Sequence, residues 1–203
     1  MRFGQDTEVA VLSFRPLALW LLGYSDAALA DTTRAMERAR EMAQPGTLMF
    51  TLGHTPLPLV LLGDYAGASD HANEVVALAD EKGSLLWKSC GTMIQGVLMG
   101  LTGKPDRAVQ AIASGMKGWR STGAMVWVPF YLCHLAKAHA EVRQLDEARR
   151  CIAEAISLMG KTKETWCEAE VHRVAGETAM AAESSAEAEA HFEHALTVAR
   201  QQQ

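Results

Sequence analysis

The side chains with most chemistry to offer in this 203-residue chain are a few histidines and cysteines. Glu187, His191 and His194 fall at helical spacing on one face, and a carboxylate with two imidazoles is a donor set suited to zinc. They lack the HExxH order, no clear additional ligand stands beside them, and they lie close to the end of the chain. A solvated helix face without metal is therefore expected. Cys133 and His134 offer a nucleophile and a base, but adjacent helical residues point about 100° apart. Core packing for one and surface for the other is the expected outcome. His139 and His172 fall on faces expected to lie between helices, as satisfied core residues. Cys90, Cys133, Cys151 and Cys167 form no CxxC pair, so buried reduced thiols are expected rather than a disulfide framework or zinc site. No catalytic residue, cofactor or metal follows from these groups.

Composition points to helices. Apolar residues make up 49% of the chain but aromatics only 6%, the surplus being alanine, leucine and methionine. A net charge of −5 arises from interspersed signs, with no basic block to neutralise phosphates and no polybasic stretch for a membrane surface. Nucleic acid and membrane are thus not expected as partners. The N-terminal MRFGQDTEVA lacks the basic and apolar regions of a signal peptide, and apolar runs such as LPLVLLG fall well short of the roughly 20 residues that span a bilayer. A cytoplasmic chain is expected.

Self-similarity is the strongest signal. GYSDAAL from Gly23, GDYAGAS from Gly63, GKPDRAV from Gly103, RQLDEAR from Arg143 and the stretch from Glu183 align without gaps, placing Ala28, Ala68, Ala108, Ala148 and Ala188 40 residues apart. Pro16, Pro56, Gly96, Ala136 and Gly176 recur twelve residues earlier. The small residues among them would let two helices approach closely, while the prolines suggest kinked or late-starting helices. Gly83 and Gly123 stand where left-handed C-caps would close second helices. Asp26, Asp106 and Asp146 stand near the N-termini of second helices, where a carboxylate is favoured. Each unit reads as helix, short turn, helix, longer connection, giving units at about 8–43, 47–82, 86–121, 126–160 and 165–201 of a single domain. Such a pair cannot bury its apolar face alone, so stacked neighbours must supply the core of an all-α solenoid.

GDYAGA followed by Val75, RQLDEA followed by Ala155, and Gly176 with Ala188 and Ala195 resemble the tetratricopeptide repeat, whose usual length is about 34 residues. The resemblance implies a right-handed α-α superhelix with the first helices lining its concave side. The aromatic four residues after the anchor alanine is present only as Phe192, and the proline closing each second helix is missing. ALWLLGYSDAAL, GSLLW, GWRSTGA and KETWCEAEVHRVAGE further resemble the tetratricopeptide region of bacterial signalling proteins in which a class III nucleotide cyclase or a transcription-factor module joins a STAND-type ATPase. That implies a sensor or interaction arm. The phosphate loop GxxxxGK[ST] of the ATPase does not occur in this sequence. Arg200-Gln-Gln-Gln, without a polar capping helix, implies a fragment or a divergent stand-alone member.

Projected onto that arrangement, the groove would be lined by Trp20, Phe50, Leu57, Val60, Met93, Val97 and Phe130, turning polar towards Lys137, Glu141, Arg173 and Glu177. Leu17, Cys90 and Cys133 project inward with them. An apolar groove with a charged end suits an amphipathic helix, a peptide or a neighbouring domain. The expectation is a non-catalytic protein-interaction module, with a small-molecule sensor whose pocket lies between units as the alternative. Trp119 and Arg120, with Arg34, Arg38 and Arg40, project to the convex side.

Overall fold

A computed structural model describes residues 4–202, and among these it contains helices and no strand. The helices are α1 (Thr7–Leu21), α2 (Ser25–Glu41), α3 (Pro45–His54), α4 (Pro56–Leu61), α5 (Tyr65–Lys82), α6 (Leu85–Leu101), α7 (Pro105–Ser121), α8 (Val128–Glu141), α9 (Leu145–Thr162), α10 (Glu168–Ala181) and α11 (Ser185–Gln201). Helices α1, α3 with α4, α6, α8 and α10 are the first helices of five successive hairpins. Each packs on its own second helix and on a neighbouring hairpin, as α6 does on α7, α5 and α8.

The two prolines behave differently. Pro56 divides the second unit's first helix, and Thr55 between the halves keeps helical dihedrals. Pro16 is buried inside α1, which runs through it unbroken. Loss of one backbone donor is tolerated there, and the kink expected at this position does not divide the helix.

Backbone sign changes set the period. Gly23, Gly63, Gly103, Arg143 and Glu183 all have positive φ, and so do Ala43, Gly83, Gly123 and Lys163 midway between them. Apart from the α3/α4 break at Thr55, every helix junction therefore turns through a left-handed residue at 20-residue intervals. At the hairpin turns the next residue's N–H returns to the carbonyl five back: Asp64 to Leu59 at 2.9 Å, Lys104 to Met99 at 2.8 Å, Gln144 to His139 at 2.9 Å. Glycine fits this conformation freely; Ala43, Arg143, Lys163 and Glu183 hold it against the steric preference of an L side chain.

The anchor alanines are sealed, Ala28, Ala68, Ala108 and Ala148 completely so. Close approach comes from the small residues twelve positions earlier. A Cβ on Gly96 would stand 2.6 Å from Ile112 Cγ1, and one on Gly176 would stand 2.6 Å from the Phe192 ring. Asp26, Asp106 and Asp146 sit in the first turns of α2, α7 and α9, where a negative charge complements the helix dipole. Asp64 caps α5 by accepting from the Gly67 N–H at 2.9 Å.

Candidate functional site

The concave side has two parts. Where α1, α3, α6 and the start of α8 converge, aromatic rings fill it. Phe50 stacks on His54 at 4.2 Å between centroids, Phe14 meets both edge-on, Trp87 closes on Phe50 at 5.7 Å, and Trp127 reaches Phe14 at 6.4 Å. Trp127 is held in a left-handed conformation by its own N–H, which donates to the Glu164 carboxylate at 3.0 Å. His54 bonds the Phe50 carbonyl through Nδ1 at 2.7 Å, and burial lowers its pKa to about 4.

The second part is open. Trp20 and Leu21 at the end of α1, Val60 and Leu61 at the end of α4, Tyr65 and Leu101 form one wall of a groove of about 770 Å³. Facing them are Phe130 and His134 of α8, Trp166, and Phe192, Ala195, Leu196 and Ala199 of α11. The Trp166 ring stacks on Phe130 at 5.4 Å and lays a flat apolar floor. Polar character is confined to one edge, where Arg173 forks onto Glu170 through Nε at 2.6 Å and Nη2 at 2.7 Å. Glu177 holds the same guanidinium from one turn further on. Burial lowers the His134 pKa to about 4, so this imidazole is neutral at pH 7 and part of the apolar lining.

Of the residues projected into the groove, Trp20, Val60, Phe130 and Arg173 line it. Phe50 and Leu57 belong instead to the aromatic packing around Phe14 and His54. Met93 and Val97 are corrections: both are enclosed in the core, and at Met93, which is completely sealed, Gly115 lets α7 close directly over α6. Lys137 and Glu141 border a separate narrow crevice beside Gly96 and Val97. Glu177 is exposed on the far side of Arg173. The sequence reading missed Leu21, Leu61 and Leu101, although they repeat every 40 residues in the last turn of their helices. It also missed Leu196, since no second helix was expected to contribute a wall.

On the convex side, Trp119 is buried rather than displayed, while Arg120 pairs with Glu154 at 2.8 Å and Arg40 with Glu74 at 2.7 Å. The four cysteines are free and buried. Burial pushes the thiols of Cys90 and Cys167 up to about 12 and that of Cys151 to about 11, and raises Cys133 well above its ordinary value. A Cys133 thiol so disposed, beside a His134 that resists protonation, is a poor nucleophile–base pair.

The expected histidine face is reorganised. Glu187 turns away to pair with Arg149 at 3.3 Å. His191 and His194 instead meet α10: Nδ1 of His191 lies 3.1 Å from Nδ1 of His172, the rings of His172 and His194 are 4.0 Å apart, and His194 Nε2 is 3.6 Å from Glu168 Oε1. Burial, then the neighbouring His194 and His191, lower the His172 pKa to about 4. His139 is a satisfied core histidine, bonded to Gln144 at 2.7 Å. Among the described residues no helix is long and apolar enough to cross a membrane.

No protein-family model matches the sequence. No curated protein matches it significantly. Solved structures do match its fold. The apo form of RapI superposes with a TM-score of 0.65 at 10% identity, covering 99% of this chain and 86% of that one. A MamA RS-1 ArsTM double mutant superposes with a TM-score of 0.52 at 15% identity, covering 98% of both chains. At such identities the likeness is one of fold, that of a tetratricopeptide-like α-solenoid.

Proposed function

We propose that this chain is a non-catalytic protein-binding module that holds an amphipathic helix or peptide in the open part of its concave groove. The observation that carries the reading is the division of the concave side: one part is filled by its own rings, which leave a crevice of only about 20 Å³ beside Phe14 and His54, and the other is a trough of about 770 Å³ in which Leu21, Tyr65 and Leu196 stay accessible between facing helices. An apolar trough with a single charged edge matches the two faces of an amphipathic helix, whose polar side could meet Glu170 and Arg173. The test is binding of a fluorescent leucine/lysine amphipathic helical peptide. Leu196→Glu, at a position 56% exposed, should weaken capture at least tenfold while leaving helicity intact; unchanged capture would remove the groove from the account.

A small-molecule sensor is the second reading, and the groove volume favours it. About 770 Å³ lies within the roughly 300–1,000 Å³ typical of small-molecule pockets. Saturable thermal stabilisation by a metabolite, abolished by the same Leu196 substitution, would support it over peptide binding. The finer setting, a regulatory arm of a bacterial signalling protein beside a STAND-type ATPase or a class III cyclase, rests on the resemblance of ALWLLGYSDAAL and KETWCEAEVHRVAGE to such arms. A reading frame continuous with an ATPase segment would support it; a frame holding this array alone would oppose it.

A further inference from the structure

We propose that Glu168, His172 and His194 form a binding site for a divalent transition-metal ion of the zinc class, placed across the α10/α11 seam with His191 as its positioning residue. One ligand atom from each of the three lies within 4.8 Å of the others. Tetrahedral zinc, with bonds of about 2.0–2.1 Å, sets its ligand atoms about 3.4 Å apart. The 3.6 Å between Glu168 Oε1 and His194 Nε2 is already close to that, and side-chain rotation closes the rest.

The arrangement is more than coincident exposure. Glu168 and His172 stand at i and i+4 of one helix and His191 and His194 at i and i+3 of the next, so each helix offers a pair on the face it turns to the other. His172 occupies the repeat position that carries Leu12, Leu52 and Leu132 in three other units, all buried. A buried imidazole at a leucine position forfeits apolar packing without a compensating main-chain bond. His191 supplies the remaining component. With the proton between the two Nδ1 atoms on His172, His191 accepts it and the Nε2 lone pair of His172 is free for the ion, as in metal sites whose ligating histidines donate their other N–H to a fixed partner. His194 and Glu168 are partly exposed, leaving a path for the ion and room for a water as fourth ligand. The ion would clamp α11, and with it the groove wall carrying Phe192 and Leu196, onto α10.

The experiment is calorimetric titration of the full chain with zinc ion alone, comparing wild type with His172→Leu, which installs the residue that other units use. Wild type should bind one ion. His172→Leu and His194→Ala should each weaken binding at least thirtyfold while keeping the helical spectrum; the latter, at an exposed side chain, serves if the former fails to fold. His191→Ala should weaken binding about tenfold, and His191→Gln, whose amide oxygen can accept the same proton, should restore it. Wild type without saturable binding, an affinity unchanged in His172→Leu or His194→Ala, or a cobalt-substituted chain whose spectrum shows thiolate-to-metal charge transfer would overturn the proposal.

Discussion

The two parts of the concave side share two repeat positions, those of Phe50 and His54 in one and of Phe130 and His134 in the other, yet one is filled by its own rings and the other stays open. In the closed part Phe14, Phe50, His54 and Trp87 pack ring on ring, and Trp127 is drawn towards them from the fourth unit. In the open part Trp20, Val60 and Phe130 are likewise apolar, but a groove of about 770 Å³ separates them from the opposite wall, α11. Apolar character thus does not decide between packing and binding. The distance that the superhelix leaves between its own walls decides it.

Substitutions should separate the two parts by what they damage. Phe50→Ala in the closed part should cost about 3–5 kcal/mol in urea unfolding, because it empties a site where several rings meet. A loss below about 1 kcal/mol would mean that the rings are merely adjacent. Acidification should strike next. His54 and His134 have folded-state pKa values near 4 against an ordinary 6.5. Between those values the unfolded chain binds more protons, so stability is fully present above pH 6.5 and falls as pH drops towards 4, by on the order of 1–3 kcal/mol for each of these partly buried imidazoles. His54→Phe should flatten its share of that slope in pH-dependent thermal melts.

Smaller effects follow from the hinges that bring the walls round. Gly176→Ala would press a Cβ into the Phe192 ring and should cost about 1–3 kcal/mol, shifting the α11 wall and weakening groove binding with it. Lys163→Gly and Glu183→Gly relieve left-handed backbones and should each raise stability by about 0.5–1 kcal/mol with no effect on binding. A loss of stability at either would show that its side chain does more than endure the turn.

Much of this architecture was legible because backbone geometry is strictly periodic. The ungapped alignment from Gly23 to Glu183 picks out residues that all adopt the left-handed conformation, and the anchor alanines it superposes are all buried. Gly96 and Gly176 likewise mark close helix approach. The groove was legible only in part. A helical projection places Met93 and Trp20 on equivalent faces, but it carries no information on which neighbour covers them, and Gly115 determines that Met93 is sealed. Nor does one helix's spacing disclose a partner across a seam. His191 and His194 looked unsupported because Glu168 and His172, their neighbours in space, stand on the preceding helix.

The most direct test of the open groove compares two adjacent leucines. Leu21 lines the groove and Leu22, 70% exposed, does not, so Leu21→Glu and Leu22→Glu add the same charge one residue apart. Fluorescence anisotropy with the amphipathic helical peptide should show at least a tenfold loss of affinity for Leu21→Glu and wild-type affinity for Leu22→Glu. Equal affinities for the two variants would contradict the account.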